Sequence, residues 1–178
     1  MEPKGPWEYT CEYSDDDVHM IEFEQPHSGG VVLQRQWMVI REDRCVMVSD
    51  AVLPDKDAAS SSDAITDSSE VSCVSRLPLA NSVEVTEDTE TREIVLTDGA
   101  KKRCMVLPLA ASEWRVGPSD CQITVSEDRH LVVTTRGRGA VYSPVWLDFQ
   151  TRRFGRPRTW RPLTVAEGLS IIPRSTAA

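Results

Sequence analysis

The sequence contains no apolar run approaching the ~18–20 residues that a membrane-spanning helix needs, which removes a helical integral membrane protein from consideration. The opening stretch, Met1 to Tyr9, also lacks the basic start and apolar core of a secretory signal, so a soluble chain in the cytoplasm is expected. Cysteines are few and do not pair in pattern. Cys11, Cys45, Cys73, Cys104 and Cys121 are odd in number and scattered, with no C-x-x-C spacing, which argues against a disulfide framework, a zinc clip and dithiol chemistry. Most of them sit inside apolar or alternating runs, where cysteine behaves as a small buried hydrophobe. No G-x-S-x-G elbow, H-E-x-x-H helix, phosphate loop or dinucleotide fingerprint is present, so the usual local signatures of hydrolases, zinc proteases and nucleotide enzymes are missing and no cofactor is expected. Helical periodicity is scarce too. Only Leu163 to Gly168 offers as much as one helical turn.

What remains is strand patterning. The 178 residues, 40% apolar and 27% charged, suffice for one domain, 1–178, with a real core. Trp7 to Tyr13 alternates large apolar with polar residues, which predicts a half-buried strand with aromatics on one face and charges on the other. Asp15-Asp16-Asp17 breaks it as a turn before Val18–Glu24. Val31–Arg41 and Cys45–Leu53 flank the polar Glu42-Asp43-Arg44 as an antiparallel hairpin. Strands resume at Val71–Leu79, Ser82–Thr86, Arg92–Thr97, Arg103–Leu109, Cys121–Val125, His130–Thr135 and Ala140–Gln150, with Gly137 and Gly139 as punctuation. Between them, residues 54–70 turn to Ala, Ser and Asp and bury too little apolar surface to offset their ordering entropy, so a mobile loop is expected there. About 10–12 short strands with little helix to cover a parallel sheet point to an all-β, antiparallel sandwich or barrel-like fold.

Charge is divided unevenly. Residues 1–90 carry 6 Lys/Arg and 20 Asp/Glu, whereas residues 91–178 carry 14 and 8. The two halves therefore attract within one fold, or the basic half offers an anion-binding surface. The sharpest local feature is Arg152-Arg153-Phe154-Gly155-Arg156-Pro157-Arg158-Thr159-Trp160-Arg161. Its guanidinium forks suit sulfate, phosphate and carboxylate, and Phe154 and Trp160 can stack on a sugar or base face. The alternative is that these arginines pair with the acidic half while Trp160 packs under the sheet. The net charge of −8 and the lack of an RNP motif, zinc finger or helix-turn-helix argue against nucleic acid. Of the histidines His19, His27 and His130, His27 stands out, because Pro26-His27-Ser28-Gly29-Gly30 places it in a flexible turn. Asp15, Asp16 and Asp17 offer clustered oxygens, but not at the alternating spacing of a calcium loop.

The run Trp37-Met38-Val39-Ile40-Arg41-Glu42-Asp43-Arg44-Cys45-Val46-Met47-Val48-Ser49-Asp50-Ala51-Val52-Leu53 resembles the strand, short turn, strand-ending-in-Asp pattern of the β-domain in heparinase II/III-like polysaccharide lyases. The resemblance implies a C-terminal β-sandwich that accompanies a helical toroid, with Asp50 as the aspartate that helps hold a structural metal. The family's partner histidine is not matched, since Leu33-Gln34-Arg35-Gln36 stands at its position. The expectation is therefore a non-catalytic β-sandwich module that binds carbohydrate or another polyanion as an accessory part of a larger protein. Its partners would be an acidic polysaccharide or a neighbouring domain, met through Arg152, Arg153, Phe154, Arg156, Arg158, Trp160 and Arg161. The alternatives are the β-domain of a lyase acting on acidic glycans, and a polyanion or RNA binder using the same arginines.

Overall fold

A computed structural model describes residues 1–55, 65–66, 68–115 and 118–150, together with the strand backbones at 162–165 and 168–171. These residues form thirteen strands, and among them there is no helix. Three antiparallel sheets result. The largest has eight strands in the order β1 (Glu8–Ser14), β2 (Val18–His27), β3 (Val31–Ile40), β4 (Cys45–Pro54), β11 (Val141–Asp148), β8 (Lys101–Pro108), β7 (Ile94–Asp98) and β6 (Val83–Glu87). A second has three, β5 (Glu70–Pro78), β10 (His130–Arg138) and β9 (Cys121–Val125), and the third pairs β12 (Pro162–Val165) with β13 (Gly168–Ile171). The expected antiparallel sandwich is thus present, built from two sheets of very unequal width.

Where a helical turn was expected over Leu163–Gly168, the described residues are extended strand. The start of that stretch falls in β12, where β-branched Thr164 and Val165 favour extended backbone, and Gly168 opens β13. Gly137 is likewise no turn residue. It lies within β10, where an added Cβ would come within 3.0 Å of Val141 Cγ2 on β11, so glycine permits the close approach of the two strands. Gly139, at φ 68°, makes the turn. The loop expected over 54–70 lies mostly outside the described residues; Pro54 ends β4, Glu70 begins β5, and Ile65 packs on the apolar cluster around Val31 and Val52.

The core lies between the sheets. Val106 (β8), Ile94 (β7) and Val145 (β11) meet Cys121 (β9), Leu131 and Val133 (β10), all nearly inaccessible to water. Val31, Val52 and Val141 meet Val71 and Cys73 of β5 in a second cluster. Burial of each such side chain contributes about 1.5–3 kcal/mol, and these contacts seat the narrow sheet over β4, β11 and β8. Since β5 is the edge of that narrow sheet, β3, β2 and β1 extend beyond it as an overhang.

The turns are fixed by identifiable residues. Asp15 Oδ1 accepts hydrogen bonds from the Asp17 and Val18 N–H groups, an Asx-type turn joining β1 to β2. Arg44 and Arg129 take the left-handed conformation, at φ 50° and 62°. Arg129 also donates to the carbonyls of Ala80 and Val83, tying the β9–β10 turn to the β5–β6 connection.

Candidate functional site

The overhang exposes a sheet face whose side chains follow from register. Tyr9 of β1 stands opposite Phe23 of β2, Phe23 opposite Arg35 of β3, Arg35 opposite Asp50 of β4, and Asp50 opposite Ser143 of β11. This row crosses the sheet from open floor to buried core, and from Tyr9 to Asp50 it spans three strand spacings, roughly 14 Å. The next row runs Glu12, Ile21, Trp37, Val48. Trp7, Tyr9 and Trp37 are 43%, 54% and 44% exposed, unusual values for large aromatics on a sheet face.

The aromatic stripe expected on one face of β1 is split between two. A β-bulge between Tyr9 and Cys11 inserts one residue and reverses the alternation, so Tyr9 shares the face of Phe23 while Tyr13, opposite Met20, points to the other. The same bulge brings Glu12 onto the floor, where its carboxylate accepts a hydrogen bond from the Tyr9 hydroxyl. That bond raises the Tyr9 pKa to about 12 by holding its proton. Tyr9 and Phe23 meet edge to face at a centroid distance of 5.7 Å, and the Arg35 guanidinium lies 5.9 Å from the Trp7 ring centroid.

At the inner margin of the floor, Arg35 grips Asp50 through two parallel bonds, Nε to Oδ1 at 2.6 Å and one Nη to Oδ2 at 2.9 Å. Ser75 of β5 donates its hydroxyl to the same carboxylate from the narrow sheet. Arg35 is held charged, its pKa raised chiefly by the bond to Asp50. One strand further in, the Thr135 and Ser143 hydroxyls pair at 2.7 Å and continue the polar seam between the sheets. The aspartate that the sequence offers to a metal thus has both oxygens engaged by protein donors. Among the described residues no group of three or more His, Cys, Asp or Glu side chains gathers as a cation site.

The other sequence candidates fall elsewhere. The segment 152–161, with Arg152, Arg153, Phe154, Arg156, Arg158, Trp160 and Arg161, lies outside the described residues. His27 is not in a flexible turn: β2 continues through it because Val31 pairs opposite, it is buried, and the turn is made by Gly29 and Gly30 at φ 81° and 64°. His130 Nδ1 lies 3.2 Å from Asp128, which also accepts from Ser126 at 2.5 Å. The carboxylate stands between hydroxyl and imidazole, so the His130 ring does not reach the serine as it would in a serine–histidine pair, and the trio braces a turn. On the opposite face of the wide sheet, a shallow depression lies among Gln34, Gln36, Met38, Met47, Tyr142 and Trp146. Its polar groups largely satisfy one another: Gln36 donates to Glu22, Gln34 to Glu24, and Ser49 to Gln36.

Sequence reasoning passed over the floor itself. The available signal was Arg35, which shares the parity of Val31, Leu33 and Trp37 on β3, a cation where the alternation calls for an apolar residue.

No protein-family profile matches the chain, and no curated protein matches it. Among solved structures, it is similar to the heparan sulfate lyase HepC of Pedobacter heparinus, with a TM-score of 0.55 and 8% identity over 94% of this chain. A mutant of the same enzyme matches with a TM-score of 0.48 and 9% identity over 97%. The chain spans 28% of the length of either lyase chain. At this identity the likeness defines a fold: an antiparallel β-sandwich such as that lyase contains.

Proposed function

We propose that the chain is a non-catalytic β-sandwich module that binds carbohydrate, an accessory part of a larger protein, and that the overhanging floor is its binding face. The observation that carries this reading is the set of open aromatic rings, Trp7, Tyr9 and Trp37, on a sheet face beside the step formed by the narrow sheet. Sugar rings present apolar C–H faces that settle on the negative face of an aromatic ring, while their hydroxyls seek the polar groups at its margin. Glu12, the Tyr9 hydroxyl and the Arg35 guanidinium supply those groups. The fold shared with a heparan sulfate lyase supports the reading as an analogy of architecture. It also favours one second reading, the β-domain of a polysaccharide lyase acting on acidic glycans, whose chemistry would reside in the remainder of a longer protein.

Affinity electrophoresis of the purified chain through neutral and acidic polysaccharides tests the proposal, with ultraviolet absorbance followed for unsaturated uronate. Binding that falls at least tenfold in Trp37→Ala and in Trp7→Ala, without product, is the expected result. Product formed at enzyme-like rates would overturn the non-catalytic reading, and absence of binding to every glycan would overturn the proposal itself.

A further inference from the structure

The charge around the floor bears on which glycans it accepts, an inference that rests on the carbohydrate-binding reading above. Anionic polysaccharides are held by cations that neutralise sulfate or carboxylate groups. Arg35 is the arginine that register places on the floor, and its fork is already closed on Asp50, so the pair presents little net positive charge. Beside it, Glu12 carries its carboxylate onto the same surface, with His19 Nε2 at 3.8 Å. At one end of the floor stand two acidic turns, Asp15-Asp16-Asp17 and Glu42-Asp43. Arg41 reaches into the first of these and donates to the Asp15 carbonyl and, at 3.3 Å, to the Ser14 hydroxyl. The reverse side of β2 adds Glu22 and Glu24. Residues 1–55, which form β1 to β4 and their turns, hold four Lys/Arg against twelve Asp/Glu. A surface with that balance generates a negative potential and slows the approach of polyanions. The same carboxylates are strong acceptors for neutral hydroxyl donors.

We infer that the floor selects a neutral, hydroxyl-rich glycan, with its sugar faces on Trp7, Tyr9 and Trp37 and a hydroxyl donating to Glu12, and that it rejects sulfated and uronate-containing chains.

The test compares a neutral β-glucan and a galactomannan with heparan sulfate and hyaluronan at 50 and 300 mM salt, using wild type, Trp37→Ala, Trp7→Ala and Glu12→Gln. Trp7 lies outside the strands, so its variant keeps the test valid if Trp37→Ala misfolds, and thermal unfolding is recorded for each protein. The expected result is binding of a neutral glycan that changes less than twofold with salt, falls at least tenfold in the tryptophan variants and weakens in Glu12→Gln. Heparan sulfate or hyaluronan binding that depends on Trp7 or Trp37 and weakens steeply with salt would overturn the inference and leave the carbohydrate reading intact. Failure to bind any of the four would overturn both.

Discussion

Replacing Arg35 by Met would leave the Asp50 carboxylate, whose side chain is 11% exposed, with Ser75 as its remaining described side-chain donor. Removing one partner of a fully buried ion pair costs about 3–5 kcal/mol, but Arg35 is 37% exposed and water screens the pair. The expected loss for Arg35→Met is therefore about 2–3 kcal/mol. The reverse change, Asp50→Leu, frees a guanidinium that can rehydrate and removes the acceptor of the buried Ser75 hydroxyl, for a loss of about 1–2 kcal/mol. The double variant Arg35→Met/Asp50→Leu exchanges the pair for apolar side chains of similar volume, a swap that is often close to neutral. Its stability should lie within about 1 kcal/mol of wild type, which makes the coupling about 3 kcal/mol. Urea unfolding at pH 7 reads this directly. With m of roughly 2 kcal/mol/M, Arg35→Met should lower the midpoint by about 1–1.5 M while the double variant recovers most of the loss. Additive losses in the double variant would refute the view that these two side chains act as one closed unit.

Three further outcomes follow from the packing and the turns. Leu131, 1% exposed between the sheets, should cost about 3 kcal/mol when cut to Ala, and at about 2–4 °C per kcal/mol calorimetry should record a fall in Tm of roughly 6–12 °C; a fall below about 3 °C would contradict the close packing of the two sheets. Cys11 is exposed and the other four thiols are buried, with Cys73 pushed up to about 11 and Cys104 to about 12 mainly by burial, so Ellman's reagent at pH 8 should find one fast thiol until denaturant is added, and a second fast thiol would contradict that arrangement. Asp15 is held below the usual carboxylate range, first by the Val18 N–H and then by the Tyr13 hydroxyl, and Asp88 is held there by the Thr91 and Glu90 N–H groups. Such groups stabilise the fold above the unfolded carboxylate value of about 3.9 and lose that contribution as pH falls through their lowered folded values. The acid limb of a plot of Tm against pH should therefore be shallower in Asp15→Ala than in wild type, and an unchanged limb would show that the turn contributes nothing.

The strands were legible because each is local. Val31–Arg41 and Cys45–Leu53 differ from β3 and β4 by one residue at a single end of each, because period-two alternation and a charged turn define both partners within a few residues of each other. Pairings that join distant segments left no such trace. The β4–β11 ladder unites residues from about ninety to about a hundred positions apart, and nothing in either strand records whether β5 joins the wide sheet or covers it. The split of the aromatic stripe was hidden for a related reason: one inserted residue at Thr10 reverses every later side chain of β1, and alternation alone does not reveal a bulge. The floor became visible only once register had placed Tyr9, Phe23, Arg35 and Asp50 in one row.

The outer edge of β1 has a consequence of another kind. Among the described residues β1 pairs only with β2, so its far side presents a row of backbone donors and acceptors along seven exposed residues, a template on which a second chain could extend the sheet. Glu8 and Glu12 place charge along that border, the bulge after Tyr9 interrupts its flatness, and three consecutive aspartates close its end. Neutralising these carboxylates would remove a barrier to polymerisation, and β1, the strand that carries Tyr9, would be the first to join two molecules edge to edge.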